Sequence, residues 1–385
     1  MKALVLDAKW EPRPDYALSD WEKQTGKAVT GSSVWRYPKL EVREKPMPKI
    51  TRLDEVLLEV KACGVCGSDI HFLETDKAGY MFYPGLTKFP ATTGHEFSGK
   101  VVEAGKEVKD LKVGDPVTVE EMIWCGYCTP CRNGFPNHCS NLEEIGFTID
   151  GAFAQYIVVG AKYCWKVDGI LERFGEQAGY DAAALSEPTS VSYNAMFSRA
   201  GGFKPGANVC VFGAGPIGLA GIGLAEAAGA GKIVAFEVSP QRRELAKKVG
   251  ADTAYDPREV KISEVLMDIS KGEGFDFFFE AAGVPEILLP AAEGALAVNA
   301  KIVQVGRAAQ RVPMYLETFQ VRRSQLFGAQ GHSGDANFPS VIRLATSGRL
   351  DLTPIITSRY KLDDVVSAIA QSGERRDGKI MVHPN

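Results

Sequence analysis

Short apolar runs and alternating stretches bounded by Gly, Pro and Asp run through the first half of the chain. Glu55–Val60, Gly99–Glu103, Asp115–Val119 and Phe153–Val159 read as strands. Near residue 190 the texture changes. Strand-length runs at Asn208–Phe212, Lys232–Phe236, Phe275–Phe279 and Lys301–Val305 now alternate with helical patterns, one through Ala228 and one through Val249. Strand–helix alternation at this spacing predicts an α/β unit with a parallel, doubly wound sheet. The tail from about 332 lacks that rhythm. The expected division is therefore a β-rich domain over 1–188, a doubly wound domain over 189–331, and a return to the first domain over 332–385.

Composition fits two ordinary globular domains. The 385 residues are 45% hydrophobic and 24% charged, with a net charge of −4. No basic block is present, which argues against nucleic acid or an anionic membrane as a partner. The apolar run at the N-terminus is too short for a signal peptide, and no segment offers the eighteen or so apolar residues of a membrane span. These features predict a cytoplasmic location with reduced cysteines.

Against that background the cysteines are unusual. Cys125, Cys128, Cys131 and Cys139 are separated by two, two and seven residues, with Gly126, Pro130, Gly134 and Pro136 turning the backbone between them. Such a lobe, about 120–145, can close four thiolates around one tetrahedral Zn²⁺ with no position left for a substrate. Bacterial iron–sulfur motifs also contain Cys-x-x-Cys-x-x-Cys, but continue Cys-x-x-x-Cys-Pro, whereas Cys139 is followed by Ser140. A structural zinc is the expectation. Cys164 and Cys210 lie alone beside apolar segments and are expected to pack there.

A second motif directly follows the strand 208–212. Gly213-Ala-Gly215-Pro216-Ile217-Gly218 opens an Ala/Leu/Gly-rich helix, the strand-to-helix setting in which Gly-x-Gly-x-x-Gly binds a dinucleotide. Gly213 permits the tight turn, Gly215 admits a pyrophosphate to the backbone, and Gly218 lets helix and strand pack closely. Glu237 ends the next strand, nineteen residues after Gly218. A carboxylate there accepts hydrogen bonds from a ribose 2′-OH and repels a 2′-phosphate, favouring NAD over NADP. Arg242 and Arg243 follow, placed to cover the adenine or to soften that preference. The alternative is that Glu237 is a merely solvated strand end.

Two further segments, Cys63-Gly-Val-Cys66-Gly-Ser68-Asp-Ile-His71 and Thr93-Gly-His95-Glu96, together with Ser186-Glu187-Pro188, carry a resemblance. With the cysteine lobe and the glycine motif in the same order, the chain resembles the zinc-dependent medium-chain dehydrogenases of the alcohol, sorbitol and threonine dehydrogenase superfamily over almost its whole length. The resemblance implies a GroES-like catalytic domain, a Rossmann cofactor domain, and two Zn²⁺ per chain, one catalytic and one structural. It puts the catalytic zinc on Cys66, His95 and Glu96, with Glu187 as ligand or water-mediated neighbour, and leaves Cys63 as a buried hydrophobe. Glutamate at 187, where alcohol dehydrogenases proper carry cysteine, is the polyol- and threonine-type pattern. Ser68 would accept the alcohol proton and pass it through the ribose hydroxyl to His71, whose imidazole suits the outer end of a relay.

The stretches Trp10–Pro14 through Val34–Pro38, Thr75–Pro90, Val321–Ser324 and Gly328–Gly334 resemble those of inositol-ketone dehydrogenases of the scyllo-inosose type. Aromatic and amide-bearing loops suit a polyhydroxylated ring, although aromatics are also enriched at subunit interfaces. His332 would face the substrate. The resemblance thus implies NAD-linked oxidation of a polyol or cyclitol, with sorbitol- or threonine-type activity as the alternative, and a homo-oligomer, dimer or tetramer. A zinc-poor quinone-reductase-like or non-catalytic relative is the rival class, opposed by the retained Cys66, Ser68, His95, Glu96 and Glu187.

Overall fold

The computed structural model describes residues 1–308 and 310–385. They form two compact units. The first comprises Met1–Glu187, Ser358–Glu374 and Lys379–Asn385, and the second Pro188–Thr357 and Arg375–Gly378.

The first unit is built on a sheet in the order Cys164–Lys166, Pro116–Val119, Glu96–Ala104, Glu55–Gly64, Lys379–His383 and Ile356–Lys361, its first five strands paired antiparallel and Tyr156–Gly160 also paired antiparallel to Glu55–Gly64. Alternation along these strands sends every second side chain inward. Val56, Leu58, Val60, Phe97, Val101, Val117, Val119, Ile157, Val159, Ile380 and Val382 meet in one core. Register is what matters for chemistry. Gly64 pairs with Glu96 on one side and with Met381 on the other. The end of Glu55–Gly64 therefore delivers Cys66 beside both His95–Glu96 and Lys379. The register shifts between Leu57 and Leu58 and again between Val60 and Ala62.

A second, aromatic cluster flanks this sheet. Phe72 packs on Tyr83, Phe89 and Phe147 at centroid distances of 4.8, 5.6 and 5.5 Å, and Trp35 packs on Trp10 and Phe89. The aromatic stretch 75–90 thus contributes to the unit's own packing: Tyr80 is buried beneath the Arg13 guanidinium, 4.0 Å from its ring centre. Phe82 in the same stretch stays exposed.

The second unit contains a six-stranded parallel sheet in the order Thr253–Tyr255, Lys232–Phe236, Asn208–Phe212, Phe275–Glu280, Leu296–Gln304 and Gln325–Gly328. In chain order that is 3-2-1-4-5-6, the doubly wound arrangement of dinucleotide-binding folds. Phe275, Phe277, Phe278 and Phe279 are all fully buried, as strands covered on both faces require.

The expected return to the first unit at 332 is corrected by the structure: the chain crosses back at Ser358. The physical reason is packing. A side chain at Gly223, on the helix Pro216–Ala227, would strike Leu350 and Leu352, so the segment after 332 seats its apolar residues against the cofactor-unit helix. Asn337 on the helix Asn337–Ser347 also accepts a hydrogen bond from Ser198 at 2.7 Å. Among the described residues, no helix is long and apolar enough to cross a membrane.

Phe278→Ala should leave a cavity in the centre of the parallel sheet and lower stability by about 3–5 kcal/mol. Urea unfolding of the variant against the native chain checks it.

Candidate active site and cofactor loop

The sulfurs of Cys125, Cys128, Cys131 and Cys139 all lie within 4.8 Å of one another, and those of Cys128 and Cys139 are 3.8 Å apart. Zinc–sulfur bonds of about 2.3 Å in a tetrahedron put neighbouring sulfurs about 3.8 Å apart, whereas a disulfide needs about 2.05 Å. Gly126 and Gly134 both have φ of 84°, which turns the chain where sequence required it. Backbone N–H groups of Cys125 and Asn141 point at Cys139 Sγ, and that of Ser140 at Cys128 Sγ, at 3.3–3.4 Å. The thiols are driven in opposite directions. Burial raises Cys125, but hydrogen bonds from Asn141 and the backbone bring it down to about 6; burial and the neighbouring sulfurs push Cys131 up to about 12. Four crowded sulfurs cannot all ionise without a cation between them, so the set fits a closed zinc site.

The second cluster lies within the first unit. Cys66 Sγ, a ring nitrogen of His95 and a carboxylate oxygen of Glu96 are all within 4.8 Å of one another. Cys66 caps the helix Gly67–Leu73, and its backbone N–H is held by Asp69 Oδ2 at 2.9 Å. His95, Glu96 and Glu187 are buried. Glu187 stands outside the triangle, but its charge acts on both His95 and Lys379. Burial alone would lower His95; the Cys66 sulfur, Asp69 and Glu187 outweigh it and hold the imidazole well above its ordinary value. His95 Nδ1 is buried with no hydrogen-bond partner. A buried anionic set that draws a proton onto a histidine is a set in which a cation can replace that proton, so these residues fit zinc. Cys63 sits in the sheet core with its thiol pushed far up by burial, and it does not join the cluster.

Ser68 and His71 share the helix that Cys66 caps, three positions apart and therefore on one face. Ser68 Oγ is buried and without a hydrogen-bond partner. His71 is partly exposed, with Nδ1 3.4 Å from Glu74 Oε2.

Three residues near this site escaped the sequence reading. Lys379 is buried, ion-paired to Glu96, and donates to Val65 O at 3.0 Å. Asp69 is buried, and burial lifts its carboxyl to about 6. Glu121 is buried with a carboxylate oxygen within 4.8 Å of one from Glu187; burial pushes it up to about 7 against the opposing pull of His95. Asp69 stood inside the quoted motif and could have been found from it. Lys379 is 283 residues from its partner, and Glu121 belongs to no motif.

In the second unit the glycine loop has the expected form. Gly213 has φ of 84°, and a Cβ at Gly218 would lie 1.8 Å from Gly213 O, an impossible contact. At Gly215 a Cβ would meet only Arg242 Nη1, at 3.8 Å, so the space beside it is open to a ligand. Gly215, Pro216, Ile217 and Gly218 begin the helix whose free N–H groups suit a pyrophosphate. Glu237 is buried, not solvated. Its two oxygens accept Ala214 N at 2.7 Å and Ser239 N at 2.8 Å, tying the acidic strand end to the glycine loop. Arg242 Nε donates to Asp377 O at 2.8 Å, whereas Arg243 is held by Asp256 and the carbonyls of Glu237 and Val238. His332 is buried in this unit, with its ring 5.1 Å from that of Phe338 and its carbonyl accepting Asn337 Nδ2 at 3.0 Å.

A parallel dinucleotide-type sheet and a GroES-like unit that brings a half-buried cysteine sulfur to a buried imidazole and carboxylate define a zinc-binding, alcohol dehydrogenase-type oxidoreductase. The chain belongs to that family: the alcohol dehydrogenase GroES-like domain matches residues 52–169, and the zinc-binding dehydrogenase domain matches 216–347. It is 47% identical over 378 residues to a scyllo-inosose 3-dehydrogenase of Thermotoga maritima, covering 95% of both chains. It is 36% identical to an L-threonine 3-dehydrogenase of Pyrococcus horikoshii, covering 85% of this chain and 90% of that one. A solved Thermotoga maritima chain classed as an alcohol dehydrogenase superposes with a TM-score of 0.97 at 45% identity, over 99% of both chains. The 2R,3R-butanediol dehydrogenase of Bacillus subtilis gives 0.78 at 30%, over 90% of this chain and 97% of that one. Membership implies zinc and a nicotinamide cofactor.

Lys379→Met should leave the Glu96 carboxylate buried and unpaired, costing about 3–5 kcal/mol. Calorimetric unfolding of the variant is the check, and an unchanged transition would contradict the pairing.

Proposed function

We propose that the protein oxidises a secondary hydroxyl of a polyol or cyclitol to the ketone, using NAD and two zinc ions per chain. The observation that carries this reading is the Cys66–His95–Glu96 triangle, in a chain nearly half identical to a scyllo-inosose 3-dehydrogenase. Cys66, His95 and Glu96 would hold the catalytic zinc, with Glu187, whose charge acts on His95 and Lys379, as ligand or water-mediated neighbour. The lobe cysteines would hold the structural zinc. When bound, zinc supplies Lewis-acid polarisation of the substrate hydroxyl and NAD accepts the hydride.

The chain's own residues supply the proton path and the cofactor seat. Ser68 Oγ has a free hydrogen-bonding capacity beside the cysteine ligand and takes up the proton of the reacting hydroxyl as it releases its own outward towards His71. His71, three residues along the same helix face and partly exposed, passes it to solvent. Gly213, Gly215 and Gly218 seat the pyrophosphate, Pro216 and Ile217 start the helix that faces it, and Arg242 lines the open side. Glu237 disfavours a 2′-phosphate, and Arg243 is already tied to Asp256, which supports NAD over NADP. His332 belongs to the reading as a substrate contact. A homo-oligomer is also part of it, supported by the exposed Tyr315, Leu316 and Val321 just before the edge strand Gln325–Gly328.

A threonine- or sorbitol-type activity is the second reading, favoured by relatives at 36% and 31% identity with those names. NADH absorbance with inositols, inososes, sorbitol, threonine and simple alcohols separates the two: the highest kcat/KM should fall on a cyclitol. Cys66→Ser should abolish turnover while leaving NAD affinity within about twofold, since the glycine loop is in the other unit. Full activity in that variant would contradict the zinc assignment.

A further inference from the structure

Two adjacent glutamates follow the strand Pro116–Val119, and their side chains go to different partners. Glu120 turns to two tryptophans, accepting Trp165 Nε1 at 2.8 Å and Trp124 Nε1 at 3.3 Å. That is a structural task. Glu121 turns the other way, towards His95 and Glu187, where a carboxylate oxygen lies within 4.8 Å of one from Glu187. Its backbone carbonyl accepts Ile145 N at 3.0 Å, so a second segment fixes the turn that aims the side chain.

Burying a carboxyl group next to another carboxylate is expensive in both desolvation and like-charge repulsion. An apolar side chain of similar size would generally be cheaper. The cost is borne beside His95 and Glu187, next to the residues proposed to hold the metal, where the unreacting hydroxyls of a polyhydroxylated substrate would lie. Ser68 and the metal-ligating set address the reacting hydroxyl. What distinguishes a polyol or cyclitol from a simple alcohol is the hydroxyl on the next carbon, and once buried it needs a polar partner. A carboxyl group offers two oxygens at the right spacing for such a partner.

We propose that Glu121 is a specificity-determining residue, whose carboxyl group binds the hydroxyl on the carbon next to the reacting one. The assignment rests on the polyol or cyclitol reading above and names the group that selects within it.

The test uses the zinc-loaded full chain with NAD, an inositol that the native protein oxidises, and the deoxyinositol lacking the hydroxyl next to the oxidised carbon. In Glu121→Gln, KM for the inositol should rise at least tenfold, while zinc per chain and KM for NAD stay at native values. The native protein should show a similar rise in KM on the deoxyinositol, and the variant should barely distinguish the two compounds. An unchanged inositol KM in the variant would overturn the proposal. So would a loss accompanied by missing zinc or a changed NAD KM, which would make Glu121 part of the metal's surroundings. Should the variant not fold, equal KM values of the native protein for inositol and deoxyinositol would still overturn it. A native protein that oxidises no polyol or cyclitol overturns the underlying reading instead, and this assignment with it.

Discussion

Buried negative charge is the constraint around which the first unit is organised. Asp69, Glu96, Glu121 and Glu187 are all buried, and Lys379 is the one buried lysine set against them among the described residues. Charges this close, held out of water, cannot coexist without a cation or protons. In the absence of metal the balance is made by protonation: His95 is driven up by its anionic neighbours, and the carboxyls of Asp69 and Glu121 are lifted towards neutrality by burial. Zinc satisfies the same demand with a divalent charge, which is why the cluster reads as a metal site.

Strand register creates that crowding. Glu55–Gly64 is flanked by Glu96–Ala104 on one side and Lys379–His383 on the other, and the pairings of Gly64 with Glu96 and Met381 fix the meeting point. A one-residue slip would turn the functional side chains to the opposite face of the sheet. The apolar core of Val56, Leu58, Val60, Phe97 and Ile380 thus stabilises the fold and also sets the positions of the ligands. The cysteine lobe solves a separate problem within its own short segment. Its cysteines, three partly exposed and Cys139 buried, are close in sequence and held by backbone N–H groups, consistent with a closed structural site.

Much of this was legible in the sequence because the informative contacts are local. The cysteine lobe, the glycine loop with Glu237, and the helix carrying Cys66, Ser68 and His71 each lie within a short stretch whose spacing dictates geometry. Non-local features were not legible. Lys379 meets Glu96 only through strand pairing across 283 residues. Glu121 follows Glu120 directly, and nothing in the sequence tells which of the two faces the site. The return point was misplaced for a related reason: the texture after 332 stops alternating, yet Leu350 and Leu352 still pack on the helix after the glycine loop, and only the fold reveals that. The aromatic stretch 75–90 joins the unit's own core, a use that composition alone does not separate from substrate contact.

On the proposed function, the Cys66–His95–Glu96 cluster and the cysteine lobe each hold their own metal ion. Elemental analysis of the native chain, purified without chelator, tests it most directly. Two zinc atoms per chain are predicted; a single zinc, retained by the lobe alone, would contradict it.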